Sequence, residues 1–274
     1  MTPERAKAAR ELLAFYVEAG VDAPIGETAN DWLSDNGAAA RPVPAPRAPS
    51  AASPRKAATN APAQAAMLAQ PAPPGAEAAV MAAREAVRGA ATLDDLRTML
   101  DRFEGCALKA TASQLVFADG NPQARLMLVG EAPGRDEDIE GLPFVGRSGK
   151  LLDRMLAAIG MDRRSVYIAN IVPWRPPGNR TPTPVETQIC LPFTLRQIEL
   201  CDPDVLVCLG NPSTQTLLGT SDGITKTRGR WFPFHTGTRE IRVMPTFHPA
   251  FLLRSPLQKR LAWRDFLAIR KALG

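Results

Sequence analysis

Long apolar runs are missing from this sequence of 274 residues. No stretch approaches the roughly 18 consecutive apolar residues that a membrane-spanning helix needs. Cysteine is also scarce, with four in the whole chain, so a disulfide scaffold is not expected. The first residues carry Glu4, Glu11 and Glu18, and acidic residues are unusual in a secretion or organelle signal. These absences predict a cytoplasmic protein without a membrane segment.

Histidine is rarer still, since the chain has only His235 and His248. They do not form the H-x-x-x-H pair of a helical zinc site. The Gly149–Lys150 pair is followed by Leu151, where a phosphate-binding P-loop requires Ser or Thr. No G-x-G-x-x-G motif follows the first predicted strand. A nucleotide cofactor and a histidine-bound metal are therefore not expected.

Acidic residues are absent from residues 41–75, which contain nine prolines, twelve alanines and four basic residues. Such a segment cannot bury enough apolar surface to offset the entropy lost on ordering, so we expect a disordered linker. Residues 1–40 precede it, and their apolar residues recur at helical spacing: Leu12, Leu13, Tyr16 and Val17. This amphipathic segment is a candidate site for a protein partner. Residues 76–274 are predicted to form the folded domain.

Positive charge is concentrated in the last quarter of the chain. The formal net charge is +5, but residues 205–274 contain eleven Lys or Arg against three acidic residues. This local surplus of basic residues is consistent with a polyanion as the partner.

Apolar runs and helical patterns alternate along the predicted domain. The strands are expected at Arg125–Gly130, Ser165–Val172, Val205–Gly210 and Glu240–Phe247, and the helices at Gly146–Ile159, Pro184–Leu200, Pro212–Leu218 and Pro256–Ala272. Strands without polar alternation are typical of a parallel sheet covered on both faces. We therefore predict a three-layer α/β/α sandwich with a central four-stranded parallel sheet. In such folds, ligands bind at the carboxyl ends of the strands.

Polar residues follow these strand ends. Glu131 comes directly after the first strand, Asn170 ends the second, and His248 follows the fourth. Three further acids, Asp136 to Asp138, lie a few residues beyond Glu131. They are candidates for a Mg²⁺ site, although an acidic run beside a turn is also typical of a solvated surface.

Five motifs now occur in order along the chain: "GEAPGRDED…GLPFVGRSGKLLD", "VYIANIV…RPPGNRTPTP", "VLVCLG", "KTRGRW" and "PTFHPAFLLR". Together they resemble the family 4 uracil-DNA glycosylases, and the resemblance covers about Phe103 to Trp263. It implies an enzyme of base excision repair that flips uracil out of DNA and hydrolyses its N-glycosidic bond. The product is an abasic site, and we expect the enzyme to act as a monomer.

The resemblance also implies residue roles. Glu131 and His248 would be catalytic, Phe144 would stack on the flipped base, and Asn170 would read its edge. Other substrate-binding positions are Gly130, Ala132, Asp136 and Glu137. Without the resemblance, each side chain has an ordinary structural explanation, such as a turn cap for Glu131 or a core aromatic for Phe144.

Residues near the last two motifs are candidates for contacts to DNA. Leu252 and Leu253 have the composition of a wedge that enters a groove, and Arg254 follows as a phosphate contact. Further phosphate candidates are Lys150, Asn179 and Arg180. Basic side chains of this kind are also common on solvated surfaces.

The cysteines depart from the family pattern. Members of the family usually hold a four-iron cluster with four cysteines, but two of those positions are Phe103 and Trp174 here. Cys106 and Cys190 remain at the other two. Because Phe and Trp cannot ligate iron, we expect no cofactor and no iron–sulfur cluster.

Two alternatives remain open from the sequence alone. One is a non-catalytic protein that binds uracil-containing or abasic DNA on the same fold. The other is a hydrolase that acts on free nucleotides, which the lack of a phosphate loop and the basic C-terminal region disfavour.

Overall fold

The computed structural model describes residues 75–274, so the predicted N-terminal helical segment and nearly all of the predicted linker lie outside the described residues. The described part contains one mixed sheet. Its strands are β1 (Asp119–Gly120), β2 (Leu126–Gly130), β3 (Tyr167–Asn170), β4 (Val205–Leu209), β5 (Phe232–His235) and β6 (Glu240–Thr246).

The order of the strands across the sheet is β1-β3-β2-β4-β6-β5. The four predicted strands are β2, β3, β4 and β6, and their pairings are all parallel. The predicted strand count was wrong, because β1 and β5 add antiparallel edges. β1 has two residues, and β5 carries Pro233, so neither has the apolar run that marks a buried strand.

The helices are α1 (Ala76–Arg88), α2 (Leu93–Arg102), α3 (Arg135–Glu140), α4 (Arg147–Ala158), α5 (Pro184–Cys201), α6 (Asn211–Leu218), α7 (Ile224–Thr227), α8 (Pro249–Arg254) and α9 (Lys259–Leu273). Helices α1, α2 and α5 pack on one face of the sheet, and α4 and α9 on the other. The predicted three-layer α/β/α architecture is therefore confirmed. None of the helices in this described range is long and apolar enough to cross a membrane.

Strand β2 illustrates how both faces of the sheet are buried. Met127 and Val129 join the core beneath α1, α2 and α5, whereas Leu126 and Leu128 join the core beneath α4 and α9. Side chains alternate between the faces with a period of two, so a strand covered on both sides must be apolar at every position.

Helix boundaries follow local signals where these are strong. Helix α2 begins with a capping box, in which the Asp95 N–H donates to the Thr92 hydroxyl and the Thr92 N–H donates to the Asp95 carboxylate. The helix predicted at residues 256–272 begins only at Lys259, after a 3-10 turn, and a separate helix, α8, precedes it. Helix α8 starts directly after His248, which is its N-cap residue.

Candidate active site

Polar side chains from three strands meet around one cavity at the carboxyl edge of the sheet. Glu131 follows β2, Asn170 ends β3 and His248 follows β6, and all three line a cavity of about 700 Å³. Phe144, from the loop before α4, lines the same cavity. A volume of this size holds a small ligand and several waters. Parallel strands bring these residues together although they are far apart in sequence.

The cost of burying the Glu131 carboxylate is not offset by a hydrogen bond to its Oε1 atom within the described residues. This oxygen atom is itself buried. Burial raises the pKa of this carboxyl above its ordinary value of 4.5. A desolvated carboxylate at a cavity wall can accept a proton or orient a water molecule.

Asn170 has the same property on the neighbouring strand. Its side chain is only 5% exposed, and its Oδ1 atom is buried without a partner in the part of the chain that the structure describes. The adjacent strand residue is Gly130, which does not itself line the cavity. A Cβ atom there would lie 2.5 Å from the Asn170 Oδ1 and 2.6 Å from the Phe144 ring. Gly130 therefore allows the amide and the aromatic ring to converge.

Phe144 presents its ring to the cavity in an unusual backbone conformation. Its φ angle is +55°, in the left-handed region that bulky residues rarely occupy. The ring is 4% exposed, and its centroid lies 5.4 Å from that of the His248 imidazole, with 32° between the planes. Strain of this kind persists only where surrounding contacts enforce it.

A local hydrogen bond determines which ring nitrogen of His248 carries the proton. The Ala250 N–H donates to Nδ1 at 3.1 Å, which makes the side chain the N-terminal cap of α8. Because Nδ1 is an acceptor, the neutral ring carries its proton on Nε2. Burial, together with the charge of Arg254, lowers the pKa of His248 to about 4. The imidazole is thus a neutral donor.

The three consecutive acids Asp136, Glu137 and Asp138 lie in different environments. Asp136 is exposed and does not line the cavity. The Glu137 carboxylate accepts backbone N–H bonds from Gly134, Val145 and Gly146 at 3.0 to 3.1 Å.

Asp138, the third acid, is buried away from the cavity. It accepts hydrogen bonds from the Ser113 N–H and hydroxyl. Within residues 75–274, no cluster of three or more His, Cys, Asp or Glu side chains could hold a metal ion. These contacts argue against the Mg²⁺ interpretation.

Two of the residues expected to contact phosphate are engaged within the protein. Arg180 forms a two-point ion pair with Glu186, at 2.7 and 2.8 Å, so its charge is largely neutralised. The Asn179 Oδ1 accepts from Arg175 at 2.6 Å. Both still line the cavity rim. Lys150 is exposed on α4 outside the cavity.

The predicted wedge needs a correction. Leu252 is 1% exposed and packs in a small core with Phe247 and Ala262, so it is not accessible to a groove. Leu253 is 37% exposed, and Arg254 is exposed at the rim of the cavity. The adjacent leucines differ in exposure because consecutive positions on a helix point about 100° apart, so only one of them packs into the core, which sequence composition alone did not reveal.

Several cavity residues were not predicted as site residues. They include Ser148, Asn211, Thr225 and Phe251. The Asn211 Oδ1 accepts from the Ile224 N–H at 2.8 Å, and within residues 75–274 its amide N–H group has no hydrogen-bond partner. Its position two residues beyond the end of β4 was a usable signal, since it lies at the same edge of the sheet as Glu131.

A second buried region contains the residues at the cysteine positions. We call Phe103, Cys106, Trp174 and Cys190 the cysteine–aromatic cluster. The two sulfur atoms lie 3.9 Å apart, and the hydrogen bond to Cys106 together with burial raises the pKa of Cys190. Trp174 is 2% exposed, and Phe103 meets Phe193 edge to face with centroids 5.1 Å apart. All four belong to the core beneath α1, α2 and α5.

Comparison with known proteins adds an independent finding. Residues 117–267 match the family model described as the Uracil DNA glycosylase superfamily. The Type-4 uracil-DNA glycosylase of Archaeoglobus fulgidus is 38% identical over 187 residues, which are 67% of this chain and 94% of that protein. The Type-4 uracil-DNA glycosylase of Thermotoga maritima is 45% identical over 151 residues, or 55% of this chain and 77% of that protein.

A third relative is a much longer protein, and the similarity covers only a small part of it. A DNA polymerase of Bacillus phage SP01 is 33% identical over 138 residues, which are 50% of this chain but 14% of the polymerase. The family match spans Glu131, Phe144, Asn170 and His248, so the similarity includes the cavity as well as the sheet.

Proposed function

The chain belongs to the uracil-DNA glycosylase superfamily, and from this premise we propose which side chains carry out its reaction. It is a DNA repair glycosylase that hydrolyses the N-glycosidic bond of uracil in DNA and leaves an abasic site. The observation that supports the assignment of roles is that Glu131 and Asn170, which line one cavity, each bury an oxygen that has no hydrogen-bond partner among residues 75–274.

Recognition of uracil rests on Phe144 and Asn170. The base leaves the DNA stack and lies on the Phe144 ring, a stacking contact worth about 1–3 kcal/mol. The Asn170 Oδ1 accepts from N3–H of uracil, and its amide N–H donates to O4. Cytosine has an acceptor at N3 and a donor at position 4, so both contacts would be mismatched. The Asn170 Oδ1, which has no partner among the described residues, is the acceptor that the N3–H of uracil needs.

Bond cleavage rests on Glu131 and His248. As the C1′–N1 bond breaks, the sugar acquires positive charge and uracil departs with negative charge on its N1–C2–O2 group. The ionised Glu131 orients the attacking water, accepts its proton and stabilises the cationic sugar. The His248 Nε2–H donates to O2 of the leaving base as charge develops there. A neutral imidazole suffices, since it does not have to transfer its proton.

Contacts to DNA rest on the exposed face of α8. Leu253 enters the space vacated by the flipped nucleotide, and Arg254 contacts a flanking phosphate. Lys150 contributes a further phosphate contact. Arg180 shapes the rim and binds phosphate weakly, because Glu186 already occupies its guanidinium. Asn179 contacts phosphate through its amide N–H group, since Arg175 binds only its Oδ1.

We also propose that the enzyme works without an iron–sulfur cluster. Such a cluster needs four thiolates, and the cysteine–aromatic cluster offers two thiols and two apolar rings. Interiors are close-packed, so Phe103 and Trp174 fill volume that a cluster would otherwise need. Cys201 and Cys208 are buried free thiols away from the family positions. The residues present therefore do not fit the group.

Iron content tests this directly. Protein purified anaerobically should be colourless, with no stoichiometric iron or acid-labile sulfide. A brown protein with four irons per chain would overturn the proposal and would make Cys201 or Cys208 the replacement ligands.

Base release tests the assignment of roles. A uracil-containing oligonucleotide should yield free uracil and an alkali-labile site, whereas matched DNA with thymine should not. The Glu131→Gln variant should bind the same DNA and release almost no base. The non-catalytic alternative predicts binding without release by the parent protein, and it is not favoured, because the relatives are named as glycosylases.

A further inference from the structure

Arg163 lies outside the cavity but contacts the loop that carries Phe144. It belongs to a 3-10 turn directly before β3, and no motif marks it. One guanidinium nitrogen donates to the Pro143 carbonyl at 3.1 Å, and another donates to the Phe144 carbonyl. Arg163 thus binds two consecutive backbone carbonyls of the loop.

Two carboxylates bind further N–H groups of the Arg163 guanidinium. Its Nε donates to Asp153 on α4 at 2.7 Å, and Nη1 donates to Asp119 on β1 at 2.6 Å. The arginine side chain is 24% exposed. Since two carboxylates set its orientation, the planar fork is already aimed at the loop before DNA binds.

The other side of the same loop is held by a carboxylate. The Val145 and Gly146 N–H groups both donate to Glu137 Oε1, at 3.1 and 3.0 Å. The peptide group after Phe144 is therefore bound at its carbonyl by Arg163 and at its N–H by Glu137. This arrangement resists the rotation that would relieve the positive φ angle of Phe144.

Gly149 completes the arrangement by leaving room for the carbonyl. A Cβ atom at this position would lie 1.6 Å from the Phe144 oxygen. The carbonyl thus packs on the first turn of α4, between Gly149 and Arg163. Each of these contacts acts on the backbone at or next to Phe144, and of the three contacting residues Glu137 lines the cavity whereas Arg163 and Gly149 do not.

We propose that Arg163 is a positioning residue, which holds Phe144 in its left-handed conformation and so aims the ring at the flipped base. This inference rests on the proposed stacking role of Phe144. Its effect on the reaction is indirect, because misplacement of a substrate-contacting group by about 1 Å can cost on the order of 100-fold in rate. Arg163 is then as necessary to base recognition as the ring that it orients.

Ring position can be measured separately from activity. Phe144 is replaced with 4-fluorophenylalanine in the full chain, and its ¹⁹F resonance is recorded in otherwise parental, Arg163→Met and Arg164→Met proteins. Arg164 is the matched control, since its side chain is 93% exposed and, among the described residues, pairs only with Asp162. We expect the resonance to shift and broaden in Arg163→Met and to remain unchanged in Arg164→Met.

Single-turnover kinetics then connects position to catalysis. Arg163→Met should lower the rate of uracil release on the order of 100-fold, with the Kd for undamaged DNA unchanged. Arg163→Lys should recover part of the rate, because one ammonium group can bind one of the two carbonyls. In a Phe144→Ala background, Arg163→Met should have no additional effect on the rate, since both changes act through one ring.

The outcomes separate this inference from the function on which it rests. An unchanged ¹⁹F resonance in Arg163→Met, or rate losses that simply multiply in the double variant, would overturn the positioning role. A parental rate in Phe144→Ala would instead remove the stacking role of Phe144, and the resonance alone would then decide the role of Arg163. If Arg163→Met does not fold, Asp153→Asn loosens the same guanidinium and should shift the resonance in the same direction.

Discussion

The cavity and the cysteine–aromatic cluster lie on the same sheet but satisfy their polar atoms differently. In the cavity, Glu131 and Asn170 each bury an oxygen that has no partner within the described residues. In the cysteine–aromatic cluster, the two thiols contact each other and are enclosed by apolar side chains. A buried, unsatisfied polar group costs about 1–3 kcal/mol, so the cavity bears a cost that the cluster avoids.

The difference indicates what each region is for. Polar atoms without a partner at a cavity wall are retained where a ligand supplies the missing hydrogen bond. They reduce the stability of the protein until the ligand binds. A close-packed aromatic cluster contributes stability and offers nothing to a substrate. Substitutions in the cavity should therefore change rate and selectivity, and substitutions in the cluster should change the free energy of unfolding.

The largest expected effect is that of Glu131→Gln. Loss of the carboxylate should lower the single-turnover rate by about 10²–10⁴-fold, because general-base assistance is removed. Binding of uracil-containing DNA should be nearly unchanged. Glu140→Gln, on the exposed end of α3, is the control and should keep the parental rate. A near-normal rate in Glu131→Gln would transfer the catalytic role to Glu137, which also lines the cavity.

Trp174→Ala should have the converse effect. Truncation of a buried aromatic residue should lower the free energy of unfolding by about 3–5 kcal/mol, while the rate of the folded enzyme stays close to parental. Urea denaturation followed by fluorescence or circular dichroism measures the first quantity. Trp263→Ala is the control, since that side chain is 43% exposed. Loss of activity without loss of stability would contradict the contrast between the two regions.

The pH dependence sharpens the comparison at the cavity. Glu131 acts when ionised and its pKa is raised, so the rate should fall with decreasing pH at a midpoint above 4.5. His248 has a pKa of about 4 and should produce no inflection near its ordinary value of 6.5. A single acid limb in kcat/KM, retained in His248→Ala at a lower overall rate, is the expected profile. A limb near 6.5 that disappears in His248→Ala would contradict the neutral assignment.

Stability provides a second readout of the same carboxyl. Because the folded-state pKa of Glu131 lies above its unfolded value, its ionised form destabilises the fold at neutral pH, and this cost vanishes below the unfolded value of 4.5. Glu131→Gln should therefore melt at a higher temperature than the parent at pH 7, with the gain disappearing near pH 4. A Tm that stays equal to the parent's at both pH values would argue against a desolvated carboxylate.

A smaller effect is expected for Asn170→Asp. An ionised carboxylate can accept from N3–H but cannot donate to O4, so the preference for uracil over cytosine should fall by about 10-fold, the equivalent of one lost hydrogen bond. Base release from paired oligonucleotides that contain either base measures the ratio. Unchanged selectivity would mean that another group reads the base.

The smallest effect is expected from removal of residues 1–74. The composition of the linker does not support a packed core, so rate and stability should both match the full chain. Base release and urea denaturation of the truncated protein check this. A large loss of either would mean that the N-terminal segment docks on the folded domain.

Much of the site was predictable because it follows strand ends. Glu131, Asn170 and His248 each come directly after an apolar run, and parallel strands bring such positions to one edge. The alternation of strands and helices likewise predicted the three layers. These features are local patterns that repeat along the chain, so a single sequence contains them.

Other features depended on tertiary contacts that a local sequence pattern does not show. Leu252 and Leu253 are chemically identical, and only the packing of α8 decides which one is buried. The charge of Arg180 is neutralised by Glu186 on another element. The edge strands β1 and β5 were missed because a short or exposed strand lacks a continuous apolar run.

By itself, the sequence determined the layered fold, the edge on which the cavity lies and several of the residue types that line it, because hydrophobic periodicity and the residues at strand ends are local features of the chain. Only the tertiary structure decided which of those groups remain unpaired and how the ring of Phe144 is held. The physical reason is that Arg163 acts on backbone carbonyls through a guanidinium oriented by Asp119 and Asp153, and no side-chain pattern records a contact to the main chain.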